Sequence, residues 1–77
     1  MISIFTLSAA ISAVEEKIHG LREQIAVADD PDLSLLEEEL LCFSKARMEL
    51  KELYVKEQRG TSNFPTYDEL IRMTPAS

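Results

Sequence analysis

The chain has 77 residues and a formal charge of −6, from eight Lys and Arg against fourteen Asp and Glu. This length allows one domain with a marginal apolar core, so regular helix packing or self-association must supply stability. An acidic chain without a basic cluster disfavours binding to nucleic acid or to an anionic membrane. The single cysteine, Cys42, and the single histidine, His19, exclude an internal disulfide and a Cys/His zinc site within one chain.

The first fourteen residues, MISIFTLSAAISAV, are mostly apolar and include several small residues. No Lys or Arg precedes this run, although a secretory signal peptide requires one there. No stretch of the chain approaches the ~20 consecutive apolar residues of a membrane-spanning helix. We therefore expect a cytoplasmic protein with a free thiol and no membrane-spanning segment.

Apolar residues in the first part of the chain recur at alternating spacings of three and four, which is the heptad pattern of a helix with one packed face. Ser3 or Thr6 can cap the N-terminus of this helix. The residues of this first seam are Ile4, Leu7, Ile11, Val14, Ile18, Leu21, Ile25 and Ala28.

Asp30 and Pro31 interrupt the heptad pattern and predict a turn. Proline disfavours a helical conformation for the residue before it and fits the first position of a helix, so Asp30 is the predicted N-cap of a second helix. Gly60 marks the expected end of that helix. The second seam has the same spacing and consists of Leu33, Leu36, Leu40, Phe43, Arg47, Leu50 and Tyr54.

A reversal at residues 30 and 31 brings the two seams together as an antiparallel helical hairpin, in a register in which Leu7 faces Tyr54. Arg47 is the one charged residue in the seams. Because an unpaired charge is costly there, we expect its stem to pack and its guanidinium to reach Glu15 or a carboxylate of another chain.

The second helix carries more apolar surface than one seam can cover. Leu41, Met48 and Val55 recur every seven residues outside the seam. Because large exposed apolar patches mark binding sites, we predict that two hairpins form a homodimer, a four-helix bundle that resembles the small dimeric hairpin bundles in shape alone. Alternatively, the C-terminal tail or another protein covers this apolar surface. Other apolar residues outside the seam are Leu35, Cys42, Ala46 and Leu53.

Residues 61–77, which follow the hairpin of residues 1–60, are predicted to form a polar linker and a short helix. Thr66 and Glu69 have the spacing of a capping box at the start of this helix. A helix this short needs a docking site to be ordered, so the tail is either an internal lid or a docking peptide for a partner protein. Its apolar character favours the lid. The apolar residues concerned are Phe64, Tyr67, Leu70 and Ile71.

The sequence contains no recognisable catalytic, cofactor-binding or metal-binding constellation, so we expect a protein that is not an enzyme. In the predicted register His19 and Cys42 lie at equivalent heights on the two helices. They could form a thiol–imidazole pair there, but an inert thiol is the favoured interpretation.

The predicted function is a small protein–protein interaction module, such as an adaptor, a regulator or an assembly chaperone. One alternative is a structural subunit of a larger complex. Another is an acidic protein that mimics nucleic acid or binds a basic partner through the carboxylates near the turn. The predicted protein-binding residues are Leu41, Met48, Val55, Phe64, Tyr67, Leu70 and Ile71.

Overall fold

A computed structural model describes residues 3–60 and 64–73 of the chain. Regular structure in this part of the chain is entirely helical. Helix α1 spans Ile4–Val27, α2 spans Asp32–Gln58 and α3 spans Tyr67–Met73. The predicted all-helical fold is therefore confirmed, and the predicted linker at residues 61–63 lies outside the described residues.

Helix α1 begins where the sequence predicts. The side-chain oxygen of Ser3 accepts a hydrogen bond from the backbone N–H of Thr6 at 3.2 Å, which satisfies one of the unpaired amides of the first turn. The predicted seam faces α2, and four of its residues are no more than 2% exposed. The fully buried residues of α1 are Leu7, Ile11, Ile18 and Leu21.

The turn between the long helices corrects the predicted role of Asp30. Helix α2 has Pro31 as its N-cap residue, and no side chain caps it. The Asp30 carboxylate instead accepts a hydrogen bond from the Ser34 hydroxyl at 3.3 Å. The backbone N–H of Leu33 donates to the Asp29 carbonyl at 3.1 Å, so backbone groups of the turn satisfy the start of α2.

Helix α2 ends at Gln58, two residues before the predicted stop at Gly60. Gly60 has no positive φ, so a left-handed glycine does not terminate this helix. Instead, its N–H donates to the Glu57 carbonyl at 3.1 Å. Along α2 only Tyr54 is fully buried, with 0% exposure, whereas the other seam residues are half-buried.

The predicted hairpin is confirmed, because α1 and α2 pack against each other along their length. Every residue of the two predicted seams is buried or half-buried. The molecule measures 46 × 23 × 15 Å, and its smallest extent is little more than the ~10–12 Å diameter of one helix. The hairpin is therefore a single layer of two helices, and a second copy would be needed to build the predicted four-helix bundle.

Replacement of a fully buried seam residue should destabilise the fold. Leu21 is 1% exposed, so we expect Leu21→Ala to reduce the free energy of unfolding by about 2–5 kcal/mol. Leu35 is 64% exposed, so Leu35→Ala should change it by less than about 0.5 kcal/mol. Urea unfolding followed by circular dichroism measures both values, and equal losses would show that the seam is misassigned.

Candidate protein-binding surface

The exposed apolar stripe of α2, which we call the shoulder, consists of Leu41, Met48 and Val55. Leu41 is 57% exposed and Met48 is 65% exposed, whereas Val55 is half-buried. At 100° per residue the stripe lies roughly a third of a turn around α2 from the seam. The structure thus places the three residues on one side of a rigid helix, outside the contact with α1.

A shallow groove of about 600 Å³ crosses the C-terminal half of the shoulder. Its lining residues belong to α2 or, for Arg59, to the C-cap of α2. Their spacings of three, four and seven describe two consecutive holes of the kind that receive side chains of a packed helix. The aliphatic stems of its charged residues form much of its wall. The lining residues are Met48, Lys51, Glu52, Val55, Lys56 and Arg59.

A second apolar stripe lies on the other flank of α2. Leu35 is 64% exposed and Leu53 is 45% exposed. Cys42 is an exposed free thiol on the same flank, and Ala46 is half-buried. The apolar residues of α2 outside the seam therefore form two stripes, separated by the charged outer side of α2.

The tail packs back on its own hairpin. Tyr67, Leu70 and Ile71 contact the cluster formed by Leu7, Ile11 and Tyr54. This arrangement is the lid that the sequence favours. The tail residues predicted to bind a partner are half-buried at the open end of the hairpin, whereas the shoulder stays uncovered. The expectation that the tail could cover the shoulder is not met.

Polar and aromatic contacts hold the lid in place. The Tyr54 hydroxyl donates to the Pro65 carbonyl at 2.7 Å, and the Gln58 amide donates to the Phe64 carbonyl at 3.2 Å. The Phe64 ring meets the Phe5 ring edge-on, with 5.0 Å between centroids. The sequence reasoning missed these contacts, although a tyrosine in an apolar seam is itself a signal that its hydroxyl needs a nearby partner.

The capping box predicted at the start of α3 is present. The Thr66 hydroxyl accepts from the Glu69 N–H at 3.3 Å, and the Glu69 carboxylate accepts from the Thr66 N–H at 3.1 Å and from the Thr66 hydroxyl at 3.0 Å. These bonds favour the charged carboxylate, the one from the Thr66 N–H most strongly, and they lower the pKa of Glu69.

Arg47 and Glu15 form the ion pair that the sequence anticipates. The Arg47 Nε and Nη2 atoms donate to the two carboxylate oxygens of Glu15 at 2.7 and 2.6 Å. The Glu15 side chain is 12% exposed and that of Arg47 is 31% exposed, so water screens the pair only partly. The hydrogen bond that Arg47 donates to Glu15 raises the pKa of Arg47, and burial opposes that shift.

A cleft of about 570 Å³ separates α3 from α2 beside this ion pair. Its cationic groups already have partners. Arg47 binds Glu15, the Lys51 ammonium lies 5.3 Å from the centre of the Tyr67 ring, and the Arg72 Nε donates to the Asp68 carbonyl at 3.4 Å. Burial, followed by the nearby Glu15 charge, raises the pKa of the Tyr67 hydroxyl. The contact between Lys51 of α2 and the Tyr67 ring of α3 spans the cleft and helps to hold α3 on the hairpin.

The structure does not form the thiol–imidazole pair considered for His19 and Cys42. His19 Nε2 instead lies 3.1 Å from the Glu23 carboxylate one helical turn away. Across residues 3–60 and 64–73, His, Cys, Asp and Glu side chains form no group of three or more that could hold a metal ion. In the same residues, no helix combines the length and the apolar character that a bilayer crossing needs.

Comparison with protein-family models, with curated proteins and with solved structures finds no match to this chain. Of the apolar surfaces in the described part of the chain, the shoulder with its groove is open, and the open end of the hairpin is covered by the tail.

Loss of the partly buried ion pair should cost more than loss of an exposed one. We expect Glu15→Gln to reduce the free energy of unfolding by about 1–3 kcal/mol, because it leaves the Arg47 charge in the seam without its counter-ion. Glu39→Gln is the matched control: Glu39 meets Lys17 at 3.2 Å, and these side chains are 43% and 45% exposed. Its cost should stay below about 0.5 kcal/mol. Equal losses of unfolding free energy for Glu15→Gln and Glu39→Gln in urea titrations would contradict this expectation.

The pKa of Glu69 reports on the start of α3. Because folding lowers this pKa, the carboxylate stabilises α3 above its unfolded pKa of about 4.3, and this contribution is lost as the pH falls through the lower folded value. An NMR titration should therefore give a pKa below the ordinary glutamate value. Thr66→Ala, which removes the hydroxyl, should raise it part of the way back. An ordinary value in the unmodified chain would mean that the capping box does not form in solution.

Proposed function

We propose that this chain is a small non-enzymatic protein–protein interaction module whose binding surface is the shoulder of α2, and that it forms a homodimer of two hairpins. The exposure of Leu41 and Met48, at 57% and 65%, carries this proposal. Burial of apolar surface is worth about 25 cal/mol per Å², and two exposed apolar side chains one heptad apart on a helix are the anchors that helix pairing uses.

The position of the lid supports the assignment of the binding surface. Phe64, Tyr67, Leu70 and Ile71 are half-buried, so they can bind another protein only after they leave the hairpin. The shoulder requires no such rearrangement. We therefore assign partner binding to Leu41, Met48 and Val55, and we assign the tail residues to the stability of the open end.

The thin shape of the molecule supports self-association. A layer of two helices has two broad faces, and seven residues of α3 cover only part of one of them. Pairing of two hairpins gives the shoulder of each copy a partner of the same length and the same helical pitch. A cytoplasmic location belongs to this proposal, since the exposed Cys42 would stay reduced there.

Sedimentation equilibrium at micromolar concentration tests the proposal. We expect the unmodified chain to sediment as a dimer. Met48→Glu should raise the dissociation constant by at least about 100-fold, because it places a carboxylate from each copy in an apolar contact. Leu35→Glu is the control, since Leu35 is equally exposed, at 64%, but lies on the other flank. This variant should remain a dimer.

Other outcomes would redirect the proposal. A monomer with a cooperative thermal transition would contradict the homodimer. A dimer that Leu35→Glu disrupts and Met48→Glu does not would place the surface on the opposite flank. A chain that aggregates or loses helicity when purified alone would favour the structural-subunit alternative, in which another protein permanently covers the shoulder.

A further inference from the structure

We infer that two copies pair through antiparallel α2 helices about a two-fold axis that passes beside Met48. This inference rests on the proposed function, since it specifies how the shoulder binds its partner. It commits to one occupant of the shoulder, which is the same stripe of a second copy of this chain.

A two-fold contact requires that the surface be complementary to itself. In an antiparallel pair, residues equally far before and after the central residue face each other. Leu41 and Val55 each lie seven residues from Met48, so both apolar neighbours of Met48 meet an apolar residue of the second copy. The centre of symmetry of the stripe therefore falls on its most exposed member, which is 65% exposed.

The polar residues along the same line are also complementary. Glu37 and Arg59 each lie eleven residues from Met48, so this register sets Glu37 of one copy opposite Arg59 of the other, twice. Ser44 and Glu52, each four residues from Met48, place a hydroxyl donor opposite a carboxylate. Glu37 is an exposed residue of α2 and Arg59 is its exposed C-cap residue, and neither side chain joins an ion pair within the described residues.

The groove on the shoulder fits this register. One of the two holes of the groove has four residues at its corners, and Val55 lies near mid-height among them. The four residues are Glu52, Val55, Lys56 and Arg59. Leu41 of the second copy comes to the level of Val55 and so lies over that hole. No residue of α3 lines the groove, so the lid can stay in place while the second copy binds.

Charge separates this arrangement from its two competitors. Parallel pairing of the shoulder would set each residue beside its own copy, and like charges would meet at Glu37, Glu52 and Arg59. The opposite flank can also pair with itself, in the register in which Leu35 faces Leu53. That register sets Glu39 opposite Glu49, and Glu39 already binds Lys17 at 3.2 Å. In the Met48-centred pair Glu37 faces Arg59, and Glu52 faces the neutral Ser44. The like charges Lys45 and Lys51, each three residues from Met48, come to the same level only at the margins of the stripe, about 60° around the helix from Met48.

Disulfide trapping in the full chain tests the axis, with Cys42 first replaced by Ser. A residue on a two-fold axis lies next to its own copy, close enough for the ~4.4–6.8 Å Cα separation that a disulfide needs. We expect Met48→Cys to form a covalent dimer in a glutathione redox buffer at least about tenfold faster than Leu41→Cys or Val55→Cys. A mixture of the Leu41→Cys and Val55→Cys chains should cross-link, mainly as the mixed dimer.

The single variants also distinguish the competitors. Rapid cross-linking of Leu41→Cys with itself would show parallel pairing and would overturn the inference. A dimer in which Met48→Cys fails to cross-link would overturn the axis while the proposed homodimer stands. A monomer in sedimentation equilibrium would overturn the inference together with the proposed homodimer.

A charge exchange provides a second test that requires no oxidant. Glu37→Arg alone and Arg59→Glu alone should each raise the dimer dissociation constant about tenfold, since each sets two pairs of like charges opposite each other. The double variant Glu37→Arg/Arg59→Glu should restore most of that loss. Glu38→Arg makes the same charge change one residue away from the stripe and should have a smaller effect. Failure of the double variant to restore affinity would overturn the register, and circular dichroism checks that every variant is folded.

Discussion

Tyr54 is the residue at which all three helices of this chain meet. Its ring is fully buried against Leu7 and Ile11 of α1, and its hydroxyl donates to the Pro65 carbonyl just before α3. One side chain therefore contributes both apolar area to the hairpin and the polar contact that holds the tail. Leucine at this position would supply the apolar area, but the carbonyl of Pro65 would lose its donor.

The two exposed stripes of α2 follow from the thinness of the hairpin. A hairpin one layer thick can bury only the seam, and α1 places four residues fully inside it whereas α2 places one. Outside the seam, Leu35, Leu41 and Met48 therefore remain more than half exposed. Met48 lies beside the lid cleft but remains 65% exposed, so the lid and the shoulder are adjacent surfaces with separate roles.

The seam could be predicted from the sequence because its information is periodic and local. The heptad spacing identifies both helices, the turn at Pro31 sets their register, and the same register brings Arg47 within reach of Glu15. The Thr66–Glu69 capping box is equally local, since its two residues are one helical turn apart. Each of these features depends on residues whose relative positions follow from regular helical geometry.

The features that could not be predicted depend on three-dimensional placement. The docking site of α3 combines residues of both long helices at the open end of the hairpin, and no spacing rule relates Tyr67 to Leu7 or Ile11. The role of Asp30 was predicted wrongly because its side chain has a choice of partners, and the Ser34 hydroxyl competes with the backbone amides of α2.

The short connection between α1 and α2 also bears on how the molecule folds. Four residues, Ala28 to Pro31, join the long helices, so contacts near the turn close small loops whereas the contact of Leu7 with Tyr54 closes most of the chain. We therefore expect the hairpin to assemble from the turn towards the open end, with α3 docking last on a surface that exists only when both helices are formed. Unfolding in the native state should follow the reverse order. The amide protons of α3 should therefore exchange with water first, while α1 and α2 remain paired.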